Sequence, residues 1–318
     1  MNIEHSGQRL LACTLLTMLL ATASHAQDQL DLEVLELPAI TPYAPPTEPS
    51  TEQNAFTPTV TFEARLTDEG EPMEAGLIWR VFGVTPASDG KLPLIATAQG
   101  GTTSLQLQPG SYYVHTTFGR ASASTRLDVG FEPITQTVIL KAGGLRLDAM
   151  LPDGSRMRRE QLRFDIYDGL VDESTGERGL IIPDVPAGRI VRLPEGTYHV
   201  VSRYGDINAE IRADLRVQAG KTVNASIEHR AAQVTLNLVR ANSGFPLPDT
   251  AWSVLDSSTG DIINERIGAF PSMVLAAGEY TAIAKHRDRL FRREFVVSPG
   301  SDITVRINTE NDEVPSEG

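Results

Sequence analysis

The chain has 318 residues, of which 41% are hydrophobic, and its formal net charge at pH 7 is −13. This hydrophobic content is sufficient for packed cores and excludes a chain disordered throughout, while the acidic charge argues against nucleic acid as a partner. The single cysteine, Cys13, excludes an internal disulfide and a cysteine-rich metal site.

Residues 1–26 have the pattern of a secretory signal peptide. A polar stretch precedes an apolar run at residues 10–21, and Ser24-His25-Ala26 places small residues at the usual cleavage positions. A helix of this length rises about 18 Å, which is too short to cross a hydrocarbon core of about 30 Å. We therefore expect cleavage after Ala26 and secretion across the inner membrane, most simply to the periplasm or the cell surface. The mature chain is expected to have no transmembrane segment; an uncleaved anchor is the alternative.

Residues 27–57 are predicted to be an acidic, proline-rich linker. They carry six carboxylates, five prolines and no basic residue, which favours an extended, disordered chain. An apolar cluster at residues 30–37 either frays with the terminus or docks onto a partner or onto the chain's own surface, and both alternatives stay open. Residues 309–318 are also acidic, and we expect a solvated tail there.

Between these ends one sequence pattern occurs three times, at intervals of roughly 85 residues. The pattern is Leu-x-x-Gly-x-Tyr, found at Leu107-Gln-Pro-Gly110-Ser-Tyr112, Leu193-Pro-Glu-Gly196-Thr-Tyr198 and Leu275-Ala-Ala-Gly278-Glu-Tyr280. Upstream of it, Trp79, Phe164 and Trp252 occupy equivalent positions. We expect the glycine to allow a turn that a side chain would strain, and the tyrosine to begin a strand with its ring inward.

The alternation of apolar and polar residues in every copy predicts β-strands with one buried face. About seven strands fit each copy, joined by Gly, Pro and Asp turns, which is typical of a two-sheet sandwich. The sequence therefore predicts an all-β chain with three tandem Ig-like or prealbumin-like β-sandwich domains after the signal peptide and linker. The predicted repeats are residues 58–141, 142–229 and 230–308.

These motifs resemble those of bacterial carboxypeptidase-regulatory-like and prealbumin-like (CnaB-like) β-sandwich repeat domains. The resembling residues are Leu193-Pro-Glu-Gly196-Thr-Tyr198-His-Val200 and Leu215-Arg-Val217-Gln-Ala-Gly220-Lys, with their counterparts in the other copies. The resemblance covers residues 58–308 and implies spacers, stalks or binding scaffolds rather than a chemistry. CnaB-type domains often form an isopeptide bond that needs a catalytic Glu after this motif; Val200-Val201-Ser202-Arg203 supplies none, so we expect no such bond.

No catalytic, cofactor or metal site is predicted. Trp79 and Trp252 are equivalent to Phe164, so they are expected to be core anchors rather than sugar-stacking platforms. The histidines show no metal-ligand spacing. The acidic segments at residues 172–177 and 256–261 lack the ordered oxygens of a calcium loop and stand where hairpin turns are expected.

Two basic clusters stand out from the acidic background. The first contains Arg156, Arg158, Arg159 and Arg163, and the denser second contains Lys285, Arg287, Arg289, Arg292 and Arg293. The second cluster is either a solvated hairpin edge or a patch that binds an acidic partner, such as an anionic envelope polymer or the chain's own acidic leader.

The sequence thus favours a non-catalytic exported protein that acts as a structural or protein-interaction scaffold for an envelope protein or polysaccharide. The alternative is a carbohydrate- or peptidoglycan-binding module, which would place exposed aromatics such as Tyr113 or Tyr167 on a wet face. An enzyme is the third option, since it would need an acid/base group assembled only by the fold.

Overall fold

The computed structural model describes residues 57–240 and 244–314. All of them belong to Pro42–Gly318, one of the two units into which the chain divides. The predicted signal peptide, nearly all of the predicted linker and the end of the predicted tail lie outside the described residues. Within the described ranges, no helix is long and apolar enough to cross a membrane.

The described residues form twenty-one strands, which repeat one seven-strand arrangement three times. The first sandwich contains β1 (Thr59–Arg65), β2 (Leu77–Gly83), β3 (Leu94–Gly100), β4 (Thr103–Gln106), β5 (Gly110–Phe118), β6 (Ala121–Val129) and β7 (Ile134–Ile139). The second contains β8 (Ala142–Met150), β9 (Leu162–Asp168), β10 (Leu180–Pro186), β11 (Ile190–Pro194), β12 (Gly196–Tyr204), β13 (Glu210–Val217) and β14 (Thr222–Glu228), with a short 3-10 helix at Arg159–Gln161. The third contains β15 (Ala231–Val239), β16 (Ala251–Asp256), β17 (Ile262–Ile267), β18 (Ser272–Ala276), β19 (Gly278–His286), β20 (Arg289–Val297) and β21 (Ile303–Asn308).

Each sandwich pairs a three-stranded sheet with a four-stranded sheet. The three-stranded sheets have the orders β4-β1-β7, β11-β8-β14 and β18-β15-β21, and the four-stranded sheets have the orders β3-β2-β5-β6, β10-β9-β12-β13 and β17-β16-β19-β20. The first and last strands of each sandwich pair in parallel, and the other pairs are antiparallel. The predicted fold class, three tandem β-sandwiches in an all-β chain, is confirmed.

The core of each sandwich contains one large aromatic residue from its second strand. Trp79, Phe164 and Trp252 are at most 1% exposed. The indole N–H of Trp79 donates to the carbonyl of Gly101 at 3.0 Å, and that of Trp252 donates to the carbonyl of Gly268 at 2.9 Å. Because buried indole N–H groups need an acceptor, these bonds let a tryptophan replace phenylalanine at this position. The prediction of core anchors is confirmed.

The tyrosine of each repeated segment closes a local corner. The hydroxyls of Tyr112, Tyr198 and Tyr280 donate to the carbonyl four residues earlier, at 2.8, 2.9 and 3.0 Å. Burial raises the pKa of Tyr198 to about 12. The prediction that a side chain would strain the turn at this glycine is wrong at Gly196 and Gly278, since neither has a left-handed φ. A Cβ there would meet the tyrosine ring at 3.9 and 3.5 Å, which is ordinary contact.

A hairpin tip in each of the first two sandwiches packs against the following sandwich. Gly119 follows β5 with φ 64°, and Gly205 follows β12 with φ 75°. A Cβ on Gly119 would lie 2.7 Å from Cβ of Arg192, and one on Gly205 would lie 2.8 Å from Cβ of Val274. Arg192 in β11 and Val274 in β18 each stand immediately before the leucine of the repeated segment. The two junctions therefore use equivalent residues, and both contacts are too close for a side chain.

Polar contacts reinforce the second junction. The side-chain amide of Asn208 donates to the hydroxyl of Tyr280 at 2.9 Å, and its oxygen accepts from the backbone N–H of Ala276 at 3.0 Å. Arg158 forms an ion pair with Asp302 across the same junction at 2.9 Å. The Asn208 bonds tie the second sandwich to the tyrosine corner of the third, so the corner serves both the sandwich and the junction.

Gly205→Ala is expected to destabilise the protein more than Gly260→Ala does. Both residues have a left-handed φ, so both variants carry a conformational cost of about 1–2 kcal/mol. Only at Gly205 would the new Cβ also press on the next sandwich, because Gly260 has nothing within 4 Å. Overpacking should add at least about 1 kcal/mol to the loss in free energy of unfolding. Urea unfolding measures both variants, and equal losses would contradict a close junction contact.

Candidate functional site

The residues of the second predicted basic cluster lie on the β19–β20 hairpin of the third sandwich. β19 ends at His286, β20 begins at Arg289, and Arg287 and Asp288 form the turn with φ 49° and 62°. Two successive positive φ values are typical of the tight turns that join twisted strands. Arg287 occupies the position of the junction glycines of the first two sandwiches. The side chain of Arg287 is exposed. The third tip therefore carries a charged side chain at the position where the first two tips pack against the following sandwich.

The acidic tail contacts this hairpin. Glu313 accepts a hydrogen bond from Nε of Arg289 at 2.6 Å, and Asp312 lies 3.8 Å from the guanidinium of Arg293. The backbone N–H of Arg292 donates to the carbonyl of Asp312 at 2.8 Å. The hydrogen bond from Arg289 holds the pKa of Glu313 below its ordinary value. Glu313 is exposed, as expected for a solvated tail, but the tail also pairs with arginines of β20 through Asp312 and Glu313.

The unneutralised charge of the patch is concentrated at two residues. Arg292 pairs with Glu294 at 2.8 Å, so all three arginines of β20 in this cluster face carboxylates of the chain. Lys285 and Arg287 are exposed, and neither forms an ion pair with a carboxylate of the described residues. The five predicted residues are thus brought onto one hairpin, but only Lys285 and Arg287 keep their charge uncompensated.

The first basic cluster is largely committed to ion pairs. Arg158 pairs with Asp302, Arg159 with Asp148, and Arg163 lies 3.6 Å from Asp184. The Arg158–Asp302 pair spans the second and third sandwiches, whereas the other two pairs lie within the second, and exposed pairs of this kind each contribute little to stability. Arg156 is exposed and adjoins β8.

Two serine–histidine pairs of the described chain lie within hydrogen-bond distance, Ser124–His115 at 2.9 Å and Ser202–His229, and in the second pair both residues are fully buried. Oγ of Ser202 and Nε2 of His229 are 2.7 Å apart, but the two residues are only 0% and 1% exposed. The ring of Tyr204 lies edge-on to His229 with centroids 6.2 Å apart. No substrate reaches this pair, which instead fastens β12 to the connection between the second and third sandwiches. Burial lowers the pKa of His229 to about 4.

The two acidic turns hold their own backbones in place. Oδ1 of Asp172 accepts from the backbone N–H of Ser174 at 2.8 Å, and Asp256 does the same with Ser258 at 2.8 Å. Hydrogen bonds from these serines lower the pKa of both carboxyls. The pattern is that of Asx turns in equivalent hairpins. Among the described residues, no group of three or more His, Cys, Asp or Glu is placed to hold a metal ion.

The exposed aromatics named by the carbohydrate hypothesis do not form a joint platform. Tyr113 is 38% exposed on β5 of the first sandwich. Tyr167 is half-buried on β9 of the second sandwich, edge-on to His199 with ring centroids 6.4 Å apart. Because the two rings belong to different sandwiches, Tyr113 and Tyr167 do not share one stacking surface.

The structure adds three residues that the sequence analysis did not single out. Arg120, Arg189 and Arg192 line a cleft of about 340 Å³ at the junction of the first and second sandwiches. A signal for two of them was present in the repeats. Arg120 directly follows the junction glycine, and Arg192 directly precedes the repeated leucine. Aligning the repeats could therefore have placed both at the junction.

The third sandwich matches a known family. Residues 233–309 match the Rhizobiales growth-associated tandem repeat domain. This match covers the third sandwich only, and so it describes that part of the chain rather than the whole protein. No curated protein matches the chain.

Among solved structures, the chain is similar to the Bacillus anthracis TIE protein and to two pilin subunits. The Bacillus anthracis TIE protein is 13% identical over 81% of this chain, with a TM-score of 0.25, and the chain spans 51% of that protein. A streptococcal ancillary pilin is 10% identical over 80% of this chain and 99% of its own length, with a TM-score of 0.29. BcpA, the major pilin subunit of Bacillus cereus, is 10% identical over the same shares, with a TM-score of 0.22. Likeness at this level carries no function to this chain.

His229→Gln is expected to flatten the acid dependence of stability. His229 has a folded pKa of about 4 against an ordinary value of 6.5, so the folded state disfavours its protonated form. The contribution of neutral His229 to the free energy of unfolding is intact above pH 6.5. It is lost as the pH falls toward 4, by roughly 3 kcal/mol in all. Urea unfolding of both proteins at pH 7 and near pH 4 measures the difference. The same pH dependence in both proteins would show that His229 is not held neutral.

Proposed function

We propose that the chain is an exported, non-catalytic scaffold whose tandem sandwiches bind a protein partner through the tip of the third sandwich. The observation that carries the proposal is the contrast among the three hairpin tips. Gly119 and Gly205 pack closely against the next sandwich, whereas Arg287 occupies that position in the third. The third tip thus offers an exposed, basic hairpin in a chain of net charge −13.

A scaffold role is supported by where the polar groups of the chain are used. The Ser202–His229 pair is buried, the acidic turns bind their own backbones, and the ion pairs Arg158–Asp302 and Arg266–Asp206 join the second sandwich to the third. We infer that these groups serve packing and turn geometry rather than catalysis. The resemblance of the repeated motifs to carboxypeptidase-regulatory-like and CnaB-like domains, which serve mostly as spacers and binding modules, agrees with this role.

Export is supported by the leader pattern of residues 1–26. We infer a periplasmic or surface-associated location in the cell envelope. Without cysteine after residue 26, the chain needs no oxidation step to fold there, and it depends on packing alone.

The third tip fits a partner with exposed carboxylates. The charges of Lys285 and Arg287 are uncompensated. The neighbouring arginines Arg289 and Arg293 already form ion pairs with carboxylates of the tail. An acidic partner segment would extend the same charge pairing onto the tip. Electrostatic attraction of this kind raises the rate of association and falls with ionic strength.

Crosslinking of the chain from Gln27 onward in cell envelopes tests the proposal. The double variant K285E/R287E is expected to lose the principal crosslinked partner, because it reverses both uncompensated charges. The matched control R212E/R216E reverses two exposed charges on β13, in the second sandwich. Unchanged crosslinking of K285E/R287E, or turnover of a substrate by the purified chain, would overturn the proposal.

The tail is expected to compete with anionic ligands for the hairpin. In the variant D312N/E313Q the carboxylates that face Arg289 and Arg293 are neutral, so the arginines become available. We expect later elution from a sulfated resin than for D68N/E132Q, which removes the same charge at exposed positions of the first sandwich. Identical elution of the two variants would show that the tail does not mask the patch.

A further inference from the structure

We propose that the cleft between the first and second sandwiches is a second binding site, which takes an extended acidic peptide segment. The cleft has a volume of about 340 Å³ and combines Gly119 and Arg120 of the first sandwich with strands β10 and β11 of the second. The site lies in a different part of the chain from the hairpin of the third sandwich and does not depend on its role.

The first argument is the unbalanced charge of the cleft. Arg120, Arg189 and Arg192 are all exposed, and none forms an ion pair with a carboxylate of the described residues. The single carboxylate of the lining, Asp184, lies 3.6 Å from Arg163 and 3.8 Å from Arg203. It is therefore already balanced by arginines outside the cleft. The cleft therefore carries three guanidinium groups with no carboxylate of the described residues paired to them.

The second junction shows what the first one lacks. The residue after the junction glycine is Arg120 in the first sandwich and Asp206 in the second. Asp206 pairs with Arg266 of β17 at 3.0 Å, and β17 corresponds to β10 in the strand order. The second junction thus supplies its own carboxylate to an arginine of the following sandwich. At the first junction Arg120 stands at the equivalent position, and we infer that a ligand provides the carboxylate there.

The walls of the cleft favour a peptide over a sugar chain. β10 and β11 are edge strands of their sheets, each paired on one side only, and so they keep backbone groups that can bind an extended segment. Ile190 is 46% exposed in the lining and offers an apolar contact for an alternate side chain. Phe118 directly precedes Gly119 of the lining, and the guanidinium of Arg192 lies 4.5 Å from its ring centroid, so that face of the ring is not free for sugar stacking.

The three arginines suit carboxylates in particular. A guanidinium group donates two parallel hydrogen bonds to one carboxylate, and it is desolvated more easily than an ammonium group. The backbone N–H of Arg120 donates to the carbonyl of Arg192 at 3.0 Å, which fixes the two arginines relative to each other across the junction. A ligand that pairs with both would therefore also strengthen the contact between the first and second sandwiches.

Fluorescence anisotropy with a labelled peptide of alternating glutamate and valine tests the site on the chain from Gln27 onward. All measurements use the K285E/R287E variant, in which the third-sandwich tip has lost its two uncompensated basic charges. The result is therefore independent of whether that tip binds a partner. We expect binding that weakens with salt, and R120E and R189E should each weaken it at least about tenfold, since each removes a charge-assisted pair. R216E, which reverses an exposed charge of the second sandwich outside the cleft, should leave binding unchanged.

The neutral variants R120Q and R189Q are expected to weaken binding as well, while their melting temperatures stay close to that of the parent protein. That result would show that the loss of binding follows from charge at the cleft rather than from unfolding. Equal weakening by R216E and R189E would overturn the proposal, because it would mean that binding responds to the change in net charge wherever it is made and not to the cleft. Equal binding of the corresponding glutamine–valine peptide would also overturn it. Binding of polygalacturonate with no binding of the acidic peptide would assign the cleft to an anionic polysaccharide instead.

Discussion

The close approach of a glycine-bearing hairpin tip to a strand of the next sandwich governs how the three units are joined. At Gly119 and Gly205 the backbone comes so near to Arg192 and Val274 that no side chain fits between them. Both glycines also have a left-handed φ, which other residues adopt at a cost. The contact needs glycine for two independent reasons, and the repetition of both reasons makes the two junctions alike.

Charge at the tips follows from this packing. At the second junction, where the tip is packed against another sandwich, Asp206 next to the glycine matches the charge of Arg266 on the adjoining strand. Where the glycine is replaced by Arg287, the tip is exposed and can carry net charge. The first junction is packed but unmatched, since Arg120 faces Arg189 and Arg192 in the cleft lining. The two proposed binding sites thus lie at the tip that is not packed against another sandwich and at the tip whose arginines have no paired carboxylate.

The resolved repeats show how one scheme tolerates different side chains. Tryptophan and phenylalanine alternate at the core anchor because the indole N–H finds a carbonyl in the first and third sandwiches. The tyrosine corner is kept in all three, since its hydroxyl satisfies a carbonyl at the end of the preceding strand. At the core anchor, variation is thus tolerated because the extra polar group of tryptophan finds an acceptor.

Much of the fold could be predicted from the sequence, because alternation with a period of two residues and a repeat of roughly 85 residues are local properties of the chain. The buried rings of Trp79, Phe164 and Trp252 followed from their equivalent positions. The role of Gly196 could not be predicted, since a glycine in extended backbone and one in a left-handed turn look the same in sequence.

The candidate sites depended on distances across the fold. The five basic residues of the third hairpin are adjacent in sequence, and so that cluster was visible, but the pairing of Arg289 with Glu313 was not. Arg120 and Arg189 are far apart in sequence and meet only because a hairpin of one sandwich packs on the edge strands of the next. The sequence by itself determined the strands, the repeat and the core anchors, which depend on side-chain period. Only the tertiary structure decided which charges remain unpaired, because pairing depends on residues brought together by the junctions.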